Sequence, residues 1–274
     1  MGPKKRKVLT AQPGARERRS GLTVELQPSL GQAEEPEHRR QQLLLPEEPP
    51  VTSVYFDKLT HRRLSSGFFN RPCVTLAKEF LGQVMVRKFT DGTEVKGRIV
   101  ETEAYLGGED QASHSRGGKQ TPRNAAMFMT PGTMYVYQIY GVYFCLNVSS
   151  QGDGAAVLVR SLEPLQGLDT MRQLRSKRRR EAGKPLKDHE LCNGPSKLCQ
   201  ALDITKTFDR GDLATATEIW LEPGLEEIST SDIVSTSRIG IGYAGEWVNK
   251  PLRFYIKGNK CVSVVDKDAE KMKD

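Results

Sequence analysis

The sequence predicts an α+β (mixed α/β) fold. It is one compact domain around a curved, mainly antiparallel β-sheet with a protruding β-hairpin, preceded by a disordered N-terminal tail. Three observations carry this. Runs with a period of two dominate the middle of the chain, at Gln83–Phe89, Glu94–Tyr105, Thr133–Asn147 and Ala155–Leu162. The helical stretches, such as Cys73–Phe80 and Leu168–Lys177, are short. Composition changes near residue 50: the first fifty residues hold no Phe, Trp or Tyr and seven of the fifteen prolines. Such a segment buries too little apolar surface to offset its ordering entropy.

The domain boundaries follow as 1–52 for a basic, Pro-rich tail, 53–267 for the folded domain and 268–274 for a disordered C-terminal tail. The tail opens with Pro3-Lys4-Lys5-Arg6-Lys7-Val8, a basic cluster of the nuclear-import kind. A generic basic tail or an appended tag reads the same way. Order is expected from Ser53-Val54-Tyr55-Phe56. A helix over Cys73–Phe80 runs into a strand at Leu81–Val86, with Leu81-Gly82 at the junction. A turn at Asp91-Gly92 then joins Gln83–Phe89 to Glu94–Tyr105 as a hairpin. In the second of these strands the alternation puts Ile99, Glu101, Glu103 and Tyr105 on one face and Val100, Thr102 and Ala104 on the other. Two carboxylates sharing a strand face are usually solvent-exposed, unless that face is concave.

Gly107–Arg123 is a long Gly- and charge-rich loop holding His114, Arg116, Lys119 and Arg123. It reads equally as a phosphate-contacting loop or as a mobile solvated one. Thr133–Asn147 follows, with four of the chain's eight tyrosines within nine residues and Tyr140-Gly141 near a hairpin tip. Hairpin tips favour Asn, Asp or Gly. An aromatic ring there reads either as part of a buried meander or as a wedge that enters another macromolecule. Ala155–Leu162 is a central strand interrupted by Arg160, which needs carboxylate, phosphate or carbonyl partners if buried. Lys177–Arg180 is a basic turn. Gly194-Pro-Ser-Lys opens a helix, and Lys197 beside its free N–H groups makes an anion seat. Glu218–Leu221, Arg253–Ile256 and Cys261–Val265 alternate as strands. Gly240-Ile-Gly242-Tyr-Ala-Gly245 has the spacing of a dinucleotide-binding loop, with Asp266 downstream. Pro251 and the strand-like Leu252–Ile256 stand where the required helix belongs, so the match is a coincidence.

A formal charge of +7 favours a polyanionic partner. No apolar run approaches the ~20 residues of a membrane span, and no signal peptide is visible. The five cysteines are scattered without a Cys-x-x-Cys pair, which fits a reducing compartment and supports neither a disulfide framework nor a zinc site.

Taken together, Arg98–Gly107, His114-Ser-Arg-Gly-Gly, Gln120-Thr-Pro-Arg-Asn, Met134–Asn147 and Gly194-Pro-Ser-Lys-Leu-Cys-Gln-Ala-Leu resemble the alkyladenine (3-methyladenine, methylpurine) DNA glycosylases from about Tyr55 to Asp266. The resemblance implies a monofunctional, monomeric nuclear enzyme of base excision repair that needs no metal or cofactor. It would approach duplex DNA from the minor groove and hydrolyse the N-glycosidic bond of alkylated or deaminated purines flipped out of the stack, with other repair proteins acting downstream. Glu103 matches the general base and Arg160 a residue that positions it. Tyr105, Ala112, His114, Tyr137 and Asn147 match the base pocket, with Asn147 set to clash with a guanine amino group. Tyr140 matches the intercalating wedge, and Lys119, Thr121, Arg123, Val142 and Lys197 fall in segments matching backbone contacts to DNA. A DNA-bending protein that wedges without chemistry is the alternative. Val142, Ala125-Ala126 and Tyr243 depart from the family pattern, which usually has Met, Arg-Gly and His there. A strict two-residue turn at Tyr140-Gly141 would pair Tyr137 with Phe144 and put Asn147 on the opposite face, so a shared pocket demands a bulge or a longer loop.

Overall fold

A twelve-residue strand, Glu94–Tyr105, is the axis on which the remaining elements hang. The computed structural model describes residues 63–177 and 184–271. The expectations for residues 1–52, the onset of order near Ser53, most of the basic turn and residues 272–274 lie outside the described residues. In chain order the helices and strands are α1 (Ser66–Phe69), α2 (Cys73–Glu79), β1 (Val84–Lys88), β2 (Glu94–Tyr105), β3 (Met134–Ile139), β4 (Tyr143–Ser149), β5 (Ala156–Gln166), α3 (Leu168–Ser176), α4 (Pro195–Ala201), β6 (Ile219–Glu222), β7 (Ile233–Thr236), β8 (Arg253–Ile256) and α5 (Lys267–Lys271).

All strand pairs are antiparallel, in the order β3-β4-β5-β2-β1-β6 with β8 also on β2 and β7 on β8. β2 therefore has β5 along one edge, and β1 followed by β8 along the other. Helix α2 covers it through Cys73, Leu76 and Ala77, whose i, i+3, i+4 spacing makes one buried stripe. The Thr102 hydroxyl ties the layers by donating to the Ala77 carbonyl at 2.7 Å. Burying a side chain such as Leu76 contributes about 1.5–3 kcal/mol.

The β2–β5 register shifts three times: Lys96 faces Gln166 and Gly97 faces Pro164, which skips Leu165; Ile99 faces Leu162 and Glu101 faces Ser161, which skips Val100; and Thr102 then faces Val159, which skips Arg160. Such irregularities re-aim side chains. Ile99 lies before the second shift and joins the hydrophobic core. Glu101 and Glu103 lie beyond it and are fully buried, not solvent-exposed.

Two other expectations are corrected, and one strand was not foreseen. Cys261–Val265 is not a strand, because Ser263 N–H and Val264 C=O serve Glu101 and Arg253 instead of a ladder. Lys267–Lys271 is a helix where a structureless tail was expected, and Asp266 Oδ1 accepts from Ala269 N–H at its start. β7 is an additional strand, four residues long and paired only with β8.

Candidate active site

The aromatic hairpin turns through three residues, not two. Ile139 pairs with Tyr143, so Tyr137 faces Cys145 and Tyr135 faces Asn147. Tyr140 and Gly141 both have positive φ (51° and 69°), as in a type I′ turn, and Val142 is the extra residue. That one residue restores the parity a shared pocket requires. Tyr135, Tyr137, Cys145 and Asn147 all line one cavity of about 190 Å³. At the tip, Tyr140 is 88% exposed and Val142 is also exposed.

The Tyr135 and Tyr137 rings stack at 5.3 Å, and His114 meets Tyr137 edge-on at 4.7 Å. Burial pushes the Tyr135 hydroxyl up to about 12 and Tyr137 further, so both stay neutral. His114 Nδ1 lies 2.8 Å from the Tyr135 hydroxyl. Burial, then the nearby Arg123 and Arg116 charges, depress its imidazole to about 4, so it is neutral at physiological pH. Asn147 donates its amide nitrogen to the Tyr135 carbonyl at 3.1 Å, which fixes the plane of the amide.

The skipped residue Arg160 reaches both carboxylates of β2. Its Nε donates to Glu101 Oε1 at 3.1 Å, and its Nη1 lies 3.2 Å from Glu103 Oε1. Burial opposes the Arg160 charge, but the Glu103 and Glu101 carboxylates outweigh it and raise its pKa. Glu101 also accepts from Ser161, Arg253 and the Ser263 N–H. Burial works against its charge, and Arg160 with the serine donors prevails, holding it below the usual carboxylate range. Glu103 Oε1 also accepts from Ile239 N–H at 2.7 Å, and Oε2 accepts from the Tyr105 hydroxyl at 2.9 Å. A carboxylate offers about four lone-pair sites. Three face protein donors, which leaves capacity for one water on the cavity side.

The loop after β2 is folded. Asn124, almost completely buried, accepts from Thr121 N–H and Oγ1 and donates to the carbonyls of His114 and Lys119 at 2.9 Å each. Gly107 starts the loop at φ 92°, and a Cβ there would lie 2.5 Å from the Asp153 carbonyl. Only glycine lets the chain leave β2 this way.

Glu103, Tyr105, Ala112, His114, Tyr137, Asn147 and Arg160 all line the cavity. Lys119, Thr121, Arg123, Val142 and Lys197 do not. Of these, Arg123 lies over the Tyr137 ring at 5.6 Å, and Lys197 donates to Asn193 Oδ1 at 2.8 Å in an exposed contact. Sequence reasoning missed Tyr135, although its parity with Tyr137 was readable. It also missed Ile239–Ile241, a wall that runs into the Gly-rich decoy at Gly240 and whose Ile239 N–H meets the Glu103 carboxylate. Tyr243 stands 66% exposed at the same cavity, its hydroxyl 3.4 Å from the Ala112 carbonyl. Ala126 is buried against Tyr135. Among the described residues, no three His, Cys, Asp or Glu converge as metal ligands.

Residues 67–260 match the methylpurine-DNA glycosylase (MPG) family. The chain belongs to that family. DNA-3-methyladenine glycosylase of Mus musculus is 64% identical over 224 residues, covering 80% of this chain and 67% of the relative. The Homo sapiens protein of the same description is 62% identical over 224 residues, covering 81% and 75%. A putative 3-methyladenine DNA glycosylase of Clostridium perfringens strain 13 is 46% identical over 203 residues, covering 73% and 98%. As a family member the chain is a DNA glycosylase of base excision repair.

Proposed function

We propose that the chain excises alkylated or deaminated purines (3-methyladenine, 7-methylguanine, hypoxanthine, ethenoadenine) by a Glu103-activated water, leaving an abasic site. The observation that carries this reading is the clamped Glu103 carboxylate beside an aromatic cavity, with an exposed Tyr140 on the same hairpin.

A base inside duplex DNA reaches such a cavity only after rotating out of the stack, at a cost of a few kcal/mol. Tyr140 enters from the minor groove and fills the gap. Its backbone, at φ 51°, is in a region that costs a non-Gly residue about 1–3 kcal/mol, and strain held at an exposed aromatic supports a role outside the fold. The extruded purine stacks among Tyr105, His114 and Tyr137, whose faces favour electron-poor rings. Ala112 adds to the pocket wall, His114 presents its backbone N–H and side chain near the base edge, and Asn147 crowds an exocyclic amino group on guanine. Glu103 takes a proton from water aimed at C1′ as the sugar gains positive charge, and Arg160 holds the carboxylate in place. Lys119, Thr121, Arg123, Val142 and Lys197 track the DNA backbone, so affinity falls with salt. The enzyme acts as a monomer in the nucleus, as the basic N-terminal cluster favours.

No lysine lines the cavity among the described residues, which supports hydrolysis over Schiff-base chemistry. Duplex DNA carrying one hypoxanthine tests the reading. Free base released with the strand intact until alkali supports it, while a nick without alkali would indicate a lyase. Intact hypoxanthine and alkyladenine substrates would leave only a wedge without chemistry.

A further inference from the structure

We propose that the buried Asp110–Arg238 pair is the positioning device of the active site. It holds in register the two protein donors that, besides Arg160, clamp Glu103.

Both side chains are fully buried, and the contact is bidentate: Arg238 Nη2 donates to Asp110 Oδ1 at 2.8 Å, and Nη1 to Oδ2. Arg238 Nη1 also donates to the Ala104 carbonyl at 2.9 Å, between Glu103 and Tyr105 on β2. Its guanidinium carbon lies 4.6 Å from the centre of the Tyr105 ring. The next residue in the chain is Ile239, whose N–H donates to Glu103 Oε1. Arg238 thus sets the ring whose hydroxyl serves Oε2 and the backbone that serves Oε1. On the other side, Asp110 accepts from Leu106 N–H at 3.1 Å and Ala112 N–H at 3.0 Å, which anchors the segment carrying Ala112 and His114. Three separate stretches of cavity wall therefore meet at one ion pair.

A buried ion pair is a poor source of stability, since well-packed apolar residues often do as well. What it supplies is direction. A guanidinium fork fixes distance and plane together, and a lysine cannot reproduce that geometry. Small displacements at a reacting centre are costly, so the expected signature is lost rate without lost binding.

The inference rests on the reading of Glu103 as general base, and the test separates the two. Arg238→Lys keeps the charge and loses the fork, whereas Asp110→Asn keeps an acceptor for Ala112 N–H and loses the charge. Each is assayed in the full chain for single-turnover excision of hypoxanthine at saturating enzyme, for binding to duplex bearing a tetrahydrofuran abasic analogue, and for thermal midpoint. The expected result for Arg238→Lys is a single-turnover rate constant lower by roughly tenfold to a hundredfold. Analogue affinity should stay within about threefold. A reduced reaction amplitude with an unchanged rate constant in the active fraction would show a merely structural pair and overturn the proposal. Should Arg238→Lys fail to fold, the near-isosteric Asp110→Asn decides by the same criterion. Glu103→Gln is run in parallel. If it is inactive while both pair variants react at the normal rate, the positioning inference alone fails. If it remains active, the general-base reading beneath it fails.

Discussion

Replacing Glu103 by Gln isolates the chemistry from the architecture around it. The amide has the shape of the carboxylate, so its oxygen can keep the Ile239 N–H bond while its nitrogen turns to the Tyr105 oxygen. Arg160 loses one of two carboxylates and keeps Glu101, which costs stability of about 1–3 kcal/mol and leaves a folded protein. The catalytic loss is larger. A positioned base contributes about 10²–10⁴-fold, or roughly 3–5.5 kcal/mol of barrier. The assay is single-turnover release of hypoxanthine from a defined duplex at saturating enzyme, beside binding to a duplex with an abasic analogue. We expect excision to vanish into the background with binding preserved. A rate constant within about tenfold of the native enzyme would remove Glu103 from the mechanism.

Tyr140→Ser removes the wedge and almost no buried surface, so the thermal midpoint should hold while base flipping weakens by about 1–3 kcal/mol of lost stacking. Fluorescence of 2-aminopurine beside the lesion reads this, and an equal rise in both proteins would contradict it. His114 titrates near 4 in the folded protein and near 6.5 when unfolded. The unfolded chain then binds the extra proton, so stability contributed by the neutral ring is lost as pH falls from 6.5 towards 4. The thermal midpoint of His114→Gln should slope less over that window, and identical slopes would refute the assignment. Asn124→Ala strips four loop hydrogen bonds at a buried position and should cost about 2–4 kcal/mol in denaturant unfolding. Faster amide exchange in the His114 loop should accompany it.

Much of the fold is local in origin and was therefore legible. The alternation in β1, β2, β5 and the Tyr hairpin, and the i, i+3, i+4 stripe of α2, depend on neighbours within a few positions. The short strand β7 and the irregular stretch after β8 were not, because Ile233-Val-Ser-Thr236 sets two apolar residues before two polar ones without alternation, and backbone groups bonded to side chains leave no ladder pattern. The candidate residues on ordered motifs, from Glu103 to Arg160, could be named from the resemblance. Their hydrogen-bond partners could not.

The sequence by itself determined that a polar, strand-borne pair of glutamates, a central arginine and an aromatic hairpin exist, and that the hairpin needed an extra residue for Tyr137 and Asn147 to share a side. Tertiary structure decided which partners these groups have. Ile239 reaches Glu103 across 136 positions, Arg238 reaches Asp110 across 128, and Arg253 reaches Glu101 across 152. Contacts at such separations leave no periodic trace in the chain, because the burial that makes an unpaired charge intolerable exists only once the sheet has closed over it.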